Sequence, residues 1–497
     1  MIDASQLYDY VQCPHRVYLD AFGDPSLRDD PNAFVELLWD QGLDHEKDMV
    51  ADLGITADMS GVPVGDREYE TRRAMGRGEP LIYQGYLTSG DRRGAPDILE
   101  RRGGGYFAGD IKSGSGLEGD EEEGKLKKHY AVQVGHYANI LEIEGLGYGH
   151  EAFVIDRTGT RVPYALEAPQ GVRNPTTWWT VYLDVEESVR GVLAKSNRTR
   201  PALCATCKLC RWFSLCKAEI VESNDLSMIA ELGRSKRDAM IDTIPTVQSL
   251  AASDLQTFIR GKKTIFAGIG SDTLVKFQVR ARLLSSPDPK PYLKQAVQLP
   301  MAEKEVLFDI EADPMRDVVY LHGFVEREHG KTATSKFISY FADGLDPADE
   351  EAAFRSAWAY ISARARDSVV YYYSKYERTA YRRLAARYPA VCSEDQVNKL
   401  FGLPIMVDLY SDVVKPATEW PTYDQSIKSL AHCLGFNWRD TDPSGAASIE
   451  WYHRWIETAD PAVKQRILEY NEDDCLATGV VVDEIRRLSA VNGQSPE

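Results

Sequence analysis

Glu305-Val-Leu-Phe-Asp309-Ile310-Glu311-Ala-Asp313 is an apolar run interrupted by acids two positions apart. A strand turns alternate residues to one face, so Asp309 and Glu311 project together from a hydrophobic backbone. A second strand pattern, Asp317-Val-Val-Tyr-Leu-His-Gly-Phe, follows a short turn, and Thr334-Ser-Lys-Phe-Ile-Ser-Tyr-Phe is a third. Two acid-bearing segments lie downstream. Ser368-Val-Val-Tyr-Tyr-Tyr-Ser-Lys-Tyr376-Glu377 runs into a helix that begins near Arg378. Arg466-Ile-Leu-Glu-Tyr470-Asn471-Glu472-Asp473-Asp474-Cys475 is helical, with Tyr470 and Asp474 one turn apart on one face. Four acids on three separated elements (Asp309, Glu311, Glu377 and Asp474) suit a pair of divalent cations, Mg²⁺ or Mn²⁺, that hold the attacking and leaving oxygens of a phosphodiester. Met406-Val-Asp408-Leu reads as a buried strand end in which Asp408 is structural.

This pattern resembles the DEDD exonucleases of the DnaQ type, which have a ribonuclease H-like α/β fold. Asp309 and Glu311 stand for the first motif, Tyr470-x3-Asp474 for the third, and Glu377 for the second, where Asp is usual. The resemblance implies that Tyr470 orients the nucleophilic water. Gln425-Ser-Ile-Lys-Ser-Leu-Ala and Leu-Gly435-Phe-Asn-Trp438-Arg439 also fit the YprB-like members of that group.

Further upstream, residues 32–50 (NAFVELLWDQGLDHEKDMV) carry apolar positions at helical spacing and place His45 and Glu46 on a helix. Pro80-Leu-Ile-Tyr-Gln-Gly-Tyr-Leu-Thr reads as a strand, Gly94-Ala-Pro96-Asp97-Ile-Leu-Glu as a turn into another, and Tyr106-Phe-Ala-Gly-Asp110-Ile111-Lys112-Ser as a third. Asp97 and Asp110 can offer oxygen ligands to a divalent cation, and Lys112 can activate water or stabilise a phosphate's developing charge. The helix HYAVQVGHYANILE sets Gln133 and Tyr137 one turn apart. The order His45, Asp97, Asp110-x-Lys112, Gln133-x3-Tyr137 resembles the RecB-type branch of the PD-(D/E)xK nucleases, with Asp110 where many relatives carry Glu. The resemblance implies that His45, Asp97 and Asp110 bind metal, that Lys112 is catalytic, and that Gln133 and Tyr137 support the site and the strand.

Four of the eight cysteines fall in Cys204-Ala-Thr-Cys207-Lys-Leu-Cys210-Arg-Trp-Phe-Ser-Leu-Cys216, and another in Gln12-Cys13-Pro14-His15-Arg16. In a reducing compartment such clustering points to metal or redox chemistry, and on spacing alone a structural zinc site is open. One Cys before a nuclease core and C-x2-C-x5-C after it resembles the RecB-type nucleases with an iron–sulfur staple, including the AddB and CRISPR-adaptation nucleases. That implies a [4Fe–4S] cluster on Cys13, Cys207, Cys210 and Cys216, with Cys204 spare.

Between the two acid-bearing regions the charge reverses. The chain carries −18, yet Arg190 to Pro300 holds 18 Lys+Arg against 9 Asp+Glu, a local +9 that leaves −27 elsewhere. Such a basic middle suits phosphate binding. Ile265-Phe-Ala-Gly268-Ile269-Gly270, read between two helical stretches, resembles a helix-hairpin-helix, which implies that Gly268 and Gly270, with Lys262 and Lys263, meet a DNA phosphate. Ile229-Ala-Glu-Leu232-Gly233 is a weaker copy, with Glu231 at the first glycine position.

These readings predict an α/β multidomain chain. Residues 1–222 form a RecB-like nuclease domain, 223–300 a small basic helical linker domain, and 301–497 a ribonuclease H-like exonuclease domain. The function expected is metal-dependent cleavage of DNA, on single-stranded or end-bearing substrates, in repair, recombination or defence. A nucleic-acid-binding or helicase-partner subunit with one site inactive is an alternative reading, as is an RNA-processing nuclease. No apolar run approaches the ~18 residues of a membrane span and the N-terminus lacks a signal-peptide core, so a cytoplasmic, membrane-free protein is expected.

Overall fold

The computed structural model describes residues 1–118, 124–171, 175–441 and 443–492. The chain divides into two compact units, Met1–Pro201 with Ala205–Ala218, and Ala202–Cys204 with Glu219–Glu497. No helix among the described residues is long and apolar enough to cross a membrane.

The first unit opens with α1 (Ala4–Gln12), capped by a reciprocal Asp3–Gln6 box, and α2 (Pro14–Phe22), which starts on a proline. The helix α3 (Ala33–Ala51) begins at an Asn32 cap. Next come β1 (Ala57–Asp58), β2 (Leu81–Tyr83), β3 (Ile98–Arg102), β4 (Gly105–Ile111), α4 (Lys128–Ile143), β5 (Gly147–Ile155) and β6 (Arg161–Ala165). These strands form one sheet in the order β6-β5-β4-β3-β2-β1. The β2–β3 and β3–β4 pairs are antiparallel, while β4 and β5 run parallel. A parallel pair needs a long crossover, and α4 supplies it. Every residue of β4 is buried, as is the run from Tyr130 to Leu141 on α4 except Gln133. Asp110 thus lies in a strand with no other charge, where a carboxylate is tolerated only with partners.

The second unit carries the basic segment as well as the C-terminal sheet. In the basic segment, short helices Gly233–Met240 and Val247–Ala252 pack with α5 (Ser271–Leu284) around Leu226, Met240, Leu250, Phe266 and Phe277. Between the helix Val247–Ala252 and the Ile265–Gly270 stretch lies a hairpin pairing Ile259–Arg260 with Lys263–Thr264. Gly261, at φ +64°, makes its turn.

The C-terminal sheet contains β7 (Lys304–Asp313), β8 (Val318–Glu328), β9 (Lys331–Phe341), β10 (Ser368–Tyr372) and β11 (Met406–Asp408), in the order β9-β8-β7-β10-β11. The first three strands form an antiparallel meander, and β10 and β11 add in parallel. Helix α6 (Pro347–Arg364) links β9 to β10, and α7 (Tyr376–Arg387) follows β10. Alternation along β7 sorts its side chains. Val306, Phe308 and Ile310 pack with Phe354 and Tyr381 of α6 and α7, whereas Leu307 packs with Val481 and Ile485 of the long α8 (Pro461–Asn492). Asp309 and Glu311 share the α8 face, beyond the end of its apolar layer.

Candidate metal centres

On the C-terminal sheet, Asp309, Glu311 and Asp474 bring one carboxylate oxygen each within 4.8 Å of the others. Two come from one strand face and the third from α8. Burial raises Asp309 far above the usual carboxylate range, and the charges of Asp474, Glu311 and Glu377 add to the shift. Glu311 is pushed up to about 8 by burial and then by Asp474, against the pull of Lys428, Ser448 and Asn471. Glu377, at the start of α7, is likewise pushed up to about 8, chiefly by burial. Its Oε2 has no hydrogen-bond partner among the described residues. A bound hard cation would relieve crowded, buried carboxylates that resist ionisation.

Three further residues complete this centre. The Asn471 side chain donates to Asp309 Oδ2 at 2.7 Å. It fits because Gly323 lies opposite Asp309 on β8, where a Cβ would sit 1.6 Å from Asn471 Oδ1. Lys428 Nζ donates to Tyr470 Oη at 2.5 Å and stands 4.0 Å from Asp474 Oδ2. Trp438 Nε1 donates to Asp474 Oδ1 at 2.7 Å. Asp408 is buried and accepts from the backbone N–H groups of Ser374 and Ser411, a structural use of its carboxylate. Lys428, Trp438 and Asn471 stood in stretches already singled out, but only their neighbours carried a chemical signal.

In the first unit, Asp97 precedes β3 and Asp110 is the last residue but one of β4. The Asp97 N–H lies 3.5 Å from Asp110 Oδ1, and the Ile111 N–H donates to Asp97 Oδ2 at 2.8 Å. Lys112 Nζ forms an ion pair with Asp110 at 2.8 Å. Burial raises Asp97 well above its ordinary range, and Asp110 and Glu46 raise it further, against Lys112. For Lys112, burial pulls its pKa down, but Asp110 and Asp97 prevail and leave it raised. Gln133 donates to the Tyr137 hydroxyl at 3.3 Å, so these two form one pair on α4.

His45 and Glu46 both lie on α3, and it is Glu46 that is tied to the carboxylates. Gln84 Nε2 donates to Glu46 Oε1 at 2.5 Å and to Asp97 Oδ1 at 3.1 Å, while the Tyr83 hydroxyl donates to Glu46 at 2.8 Å. Gln84 holds this bridge from a left-handed backbone, φ +53°, a strained state for a side chain of its size. His45 Nε2 and Gln133 Oε1 are buried without hydrogen-bond partners among the described residues, while Asp110 Oδ2 is held by Lys112. These orphaned atoms fit a centre meant to receive a cation and a polar substrate.

Around the cysteines, α2 is bound to the second half of the run. Arg211 and the Trp212 indole both reach Asp20, and the Ser214 N–H donates to Asp29. This tie sets Cys13 beside Cys210, whose thiol is raised first by burial, with the neighbouring Cys13 adding. Cys207 and Cys210 share a turn through the Cys210 N–H to Cys207 carbonyl bond, and Cys216 N–H bonds the Trp212 carbonyl. All four are half-buried, and Cys204 falls in the other unit.

In the basic segment Gly270 caps α5 and Gly268 has φ +74°. Lys262 and Lys263 are exposed on the hairpin. Glu231, at the matching position of the weaker copy, adopts φ +65° despite its side chain. Its carboxylate takes ion pairs from Lys276 and Arg280 of α5, which offset a conformational cost of roughly 1–2 kcal/mol.

An antiparallel meander extended by parallel strands, with an acid pair on its first strand and a helical acid opposite, defines a ribonuclease H-like domain. Residues 306–486 match the RNase H superfamily. No curated protein matches the chain. A domain of this superfamily with a clustered acidic centre points to metal-dependent nuclease chemistry.

Proposed function

We propose that the chain is a divalent-metal-dependent DNA nuclease with two active sites, cutting single-stranded or end-bearing DNA. The observation that carries the reading is the convergence of Asp309, Glu311 and Asp474 within 4.8 Å on an RNase H-like sheet. Asp309, Glu311, Glu377 and Asp474 would hold Mg²⁺ or Mn²⁺, which when bound supplies charge to activate water and stabilise the phosphodiester's leaving oxygen. The protein's own groups do the positioning. Asn471 fixes the Asp309 carboxylate, Lys428 directs the Tyr470 hydroxyl, and Tyr470 orients the attacking water.

The second active site is the RecB-type centre of the first unit, with Asp97, Asp110 and Glu46 as metal-binding acids and Lys112 as the catalytic cation. The antiparallel β2–β3–β4 pairing followed by the α4 crossover to parallel β5 supports it. His45 stays a candidate ligand through its orphaned Nε2. Cys13, Cys207, Cys210 and Cys216 would hold a structural [4Fe–4S] cluster with no redox role in cleavage, and zinc is the competitor there. The exposed Lys262 and Lys263 would guide the strand's phosphates. The choice of DNA over RNA follows the RecB-type resemblance.

The test is nuclease assay of Lys112→Ala, Asp309→Asn and the double variant on end-labelled single and double strands with Mg²⁺ or Mn²⁺. Each single variant should lose one set of products and the double variant all of them. Undiminished cleavage by the double variant would defeat the two-site reading. Iron and sulfide analysis of anaerobically purified protein separates a cluster from zinc.

A further inference from the structure

A cavity of about 370 Å³ opens in the second unit, lined among others by Glu231, Tyr373, Ser374, Tyr410, Gln425 and Ser426. We propose that this cavity is a subsite for one unpaired nucleobase of the substrate strand, next to the C-terminal metal centre. The inference rests on the nuclease reading and extends it to the substrate: the strand must present a base that is not paired.

Four observations support a base. First, the volume lies at the lower end of the range for small-ligand sites, of order 300–1,000 Å³. Second, Tyr373 and Tyr410 meet there with ring centroids 5.7 Å apart and planes inclined at 44°. The Tyr373 hydroxyl donates to the Gln425 carbonyl at 2.5 Å, which holds that ring in place. Aromatic walls accept any base by stacking. Third, Gln425 is 8% exposed, yet its Oε1 has no hydrogen-bond partner among the described residues. A buried acceptor without a partner is costly, and the N–H edge of a base would satisfy it. A phosphate offers no donor. Fourth, no lining residue is cationic and Asp424 adds an acid, which disfavours an anion, while Glu231 is already paired with Lys276 and Arg280.

The chain ties this cavity to the metal centre. Ser374 stands three positions before Glu377, and Gln425 three before Lys428, which donates to Tyr470. Three residues span at most roughly 10 Å, so a base in the cavity belongs to a nucleotide close to the one being cut. Local geometry is specialised here. Ser374 adopts φ +110° and gives its N–H to Asp408 at 3.1 Å. Tyr410 lies in a π-helical turn, Leu409–Val414, a form found often at functional sites. A base stacked inside a duplex cannot enter, so strands must be single or frayed at the end.

The experiment uses the full chain carrying Lys112→Ala and Asp309→Asn as a cleavage-dead parent. Fluorescence anisotropy gives its Kd for a labelled oligothymidine strand and for the same backbone made fully abasic. Adding Tyr410→Ala should weaken binding of the intact strand roughly tenfold and leave the abasic strand unchanged. Tyr410→Phe should keep parental affinity for both. Tyr410→Leu, which retains apolar bulk, should repeat the selective loss if Tyr410→Ala melts early. Equal weakening on both strands, or no weakening on either, overturns the subsite while the nuclease reading stands. A parent that binds neither strand, from a wild type that cuts neither DNA nor RNA, overturns both.

Discussion

The two acidic centres of this chain solve the problem of buried carboxylates differently. At the C-terminal centre Asp309, Glu311 and Asp474 crowd within 4.8 Å, and the Lys428 ammonium stays 4.0 Å from Asp474. At the N-terminal centre Lys112 sits 2.8 Å from Asp110, and Asp97 leans on the Ile111 N–H. The first centre is starved of positive charge and the second is partly neutralised from within. A centre of the first kind should be governed by its cation in both stability and activity. One of the second kind should fold well without metal and need it mainly for chemistry.

The largest effect expected is on cleavage. Asp309→Asn in a Lys112→Ala background should lower the remaining activity by at least a hundredfold, the scale for losing one charge-stabilising group. The same change should raise the melting temperature of metal-free protein, because a neutral amide avoids the cost of protonating a carboxyl that is ionised in the unfolded chain. Asp97→Asn should raise it less, since Lys112 already offsets that charge. Equal gains in calorimetry would erase the distinction between the centres.

Next in size is the room made by Gly323. Gly323→Ala should force Asn471 off Asp309 and loosen Mn²⁺ binding ten- to a hundredfold, as losses of ligand-supporting groups do. Manganese titration followed by electron paramagnetic resonance measures this, and an unchanged affinity would show that Asp309 needs no such hold.

A pH dependence should follow from the C-terminal centre. Glu311 and Glu377 titrate near 8 in the folded chain and near 4.5 unfolded. Between those values the folded state holds more protons, so metal-free stability falls as pH rises from about 4.5 to 8. Melting temperatures in chelator should drop across that window, and excess Mg²⁺ should remove the drop. A flat profile in chelator would mean that these acids are better solvated than the fold indicates.

The smallest effect concerns the third ligand of the N-terminal centre. With Asp309→Asn and Glu311→Gln silencing the other centre, Glu46→Gln should weaken Mn²⁺ binding about tenfold, and His45→Ala less. The reverse order would return the ligand role to His45.

Much of this was legible in the residues themselves. Alternation along a strand put Asp309 and Glu311 on one face, and one helical turn put Tyr470 beside Asp474. Alternation likewise put Asp110 and Lys112, two positions apart, on one face, because contacts within a few residues depend on period alone.

What tertiary structure decided are pairings across long separations. Asn471 meets Asp309 over 162 positions and can do so only where Gly323 leaves space. Lys428 finds Tyr470 over 42 positions, and Gln84 joins Glu46 to Asp97 over separations of 38 and 13. Glu231 can occupy a left-handed position because α5 brings Lys276 and Arg280 to its carboxylate. Residue type and local period determined which side chains could do chemistry. Packing determined which of them meet, since an amide, a lysine or a glycine has no distinctive pattern until its distant partner is in place.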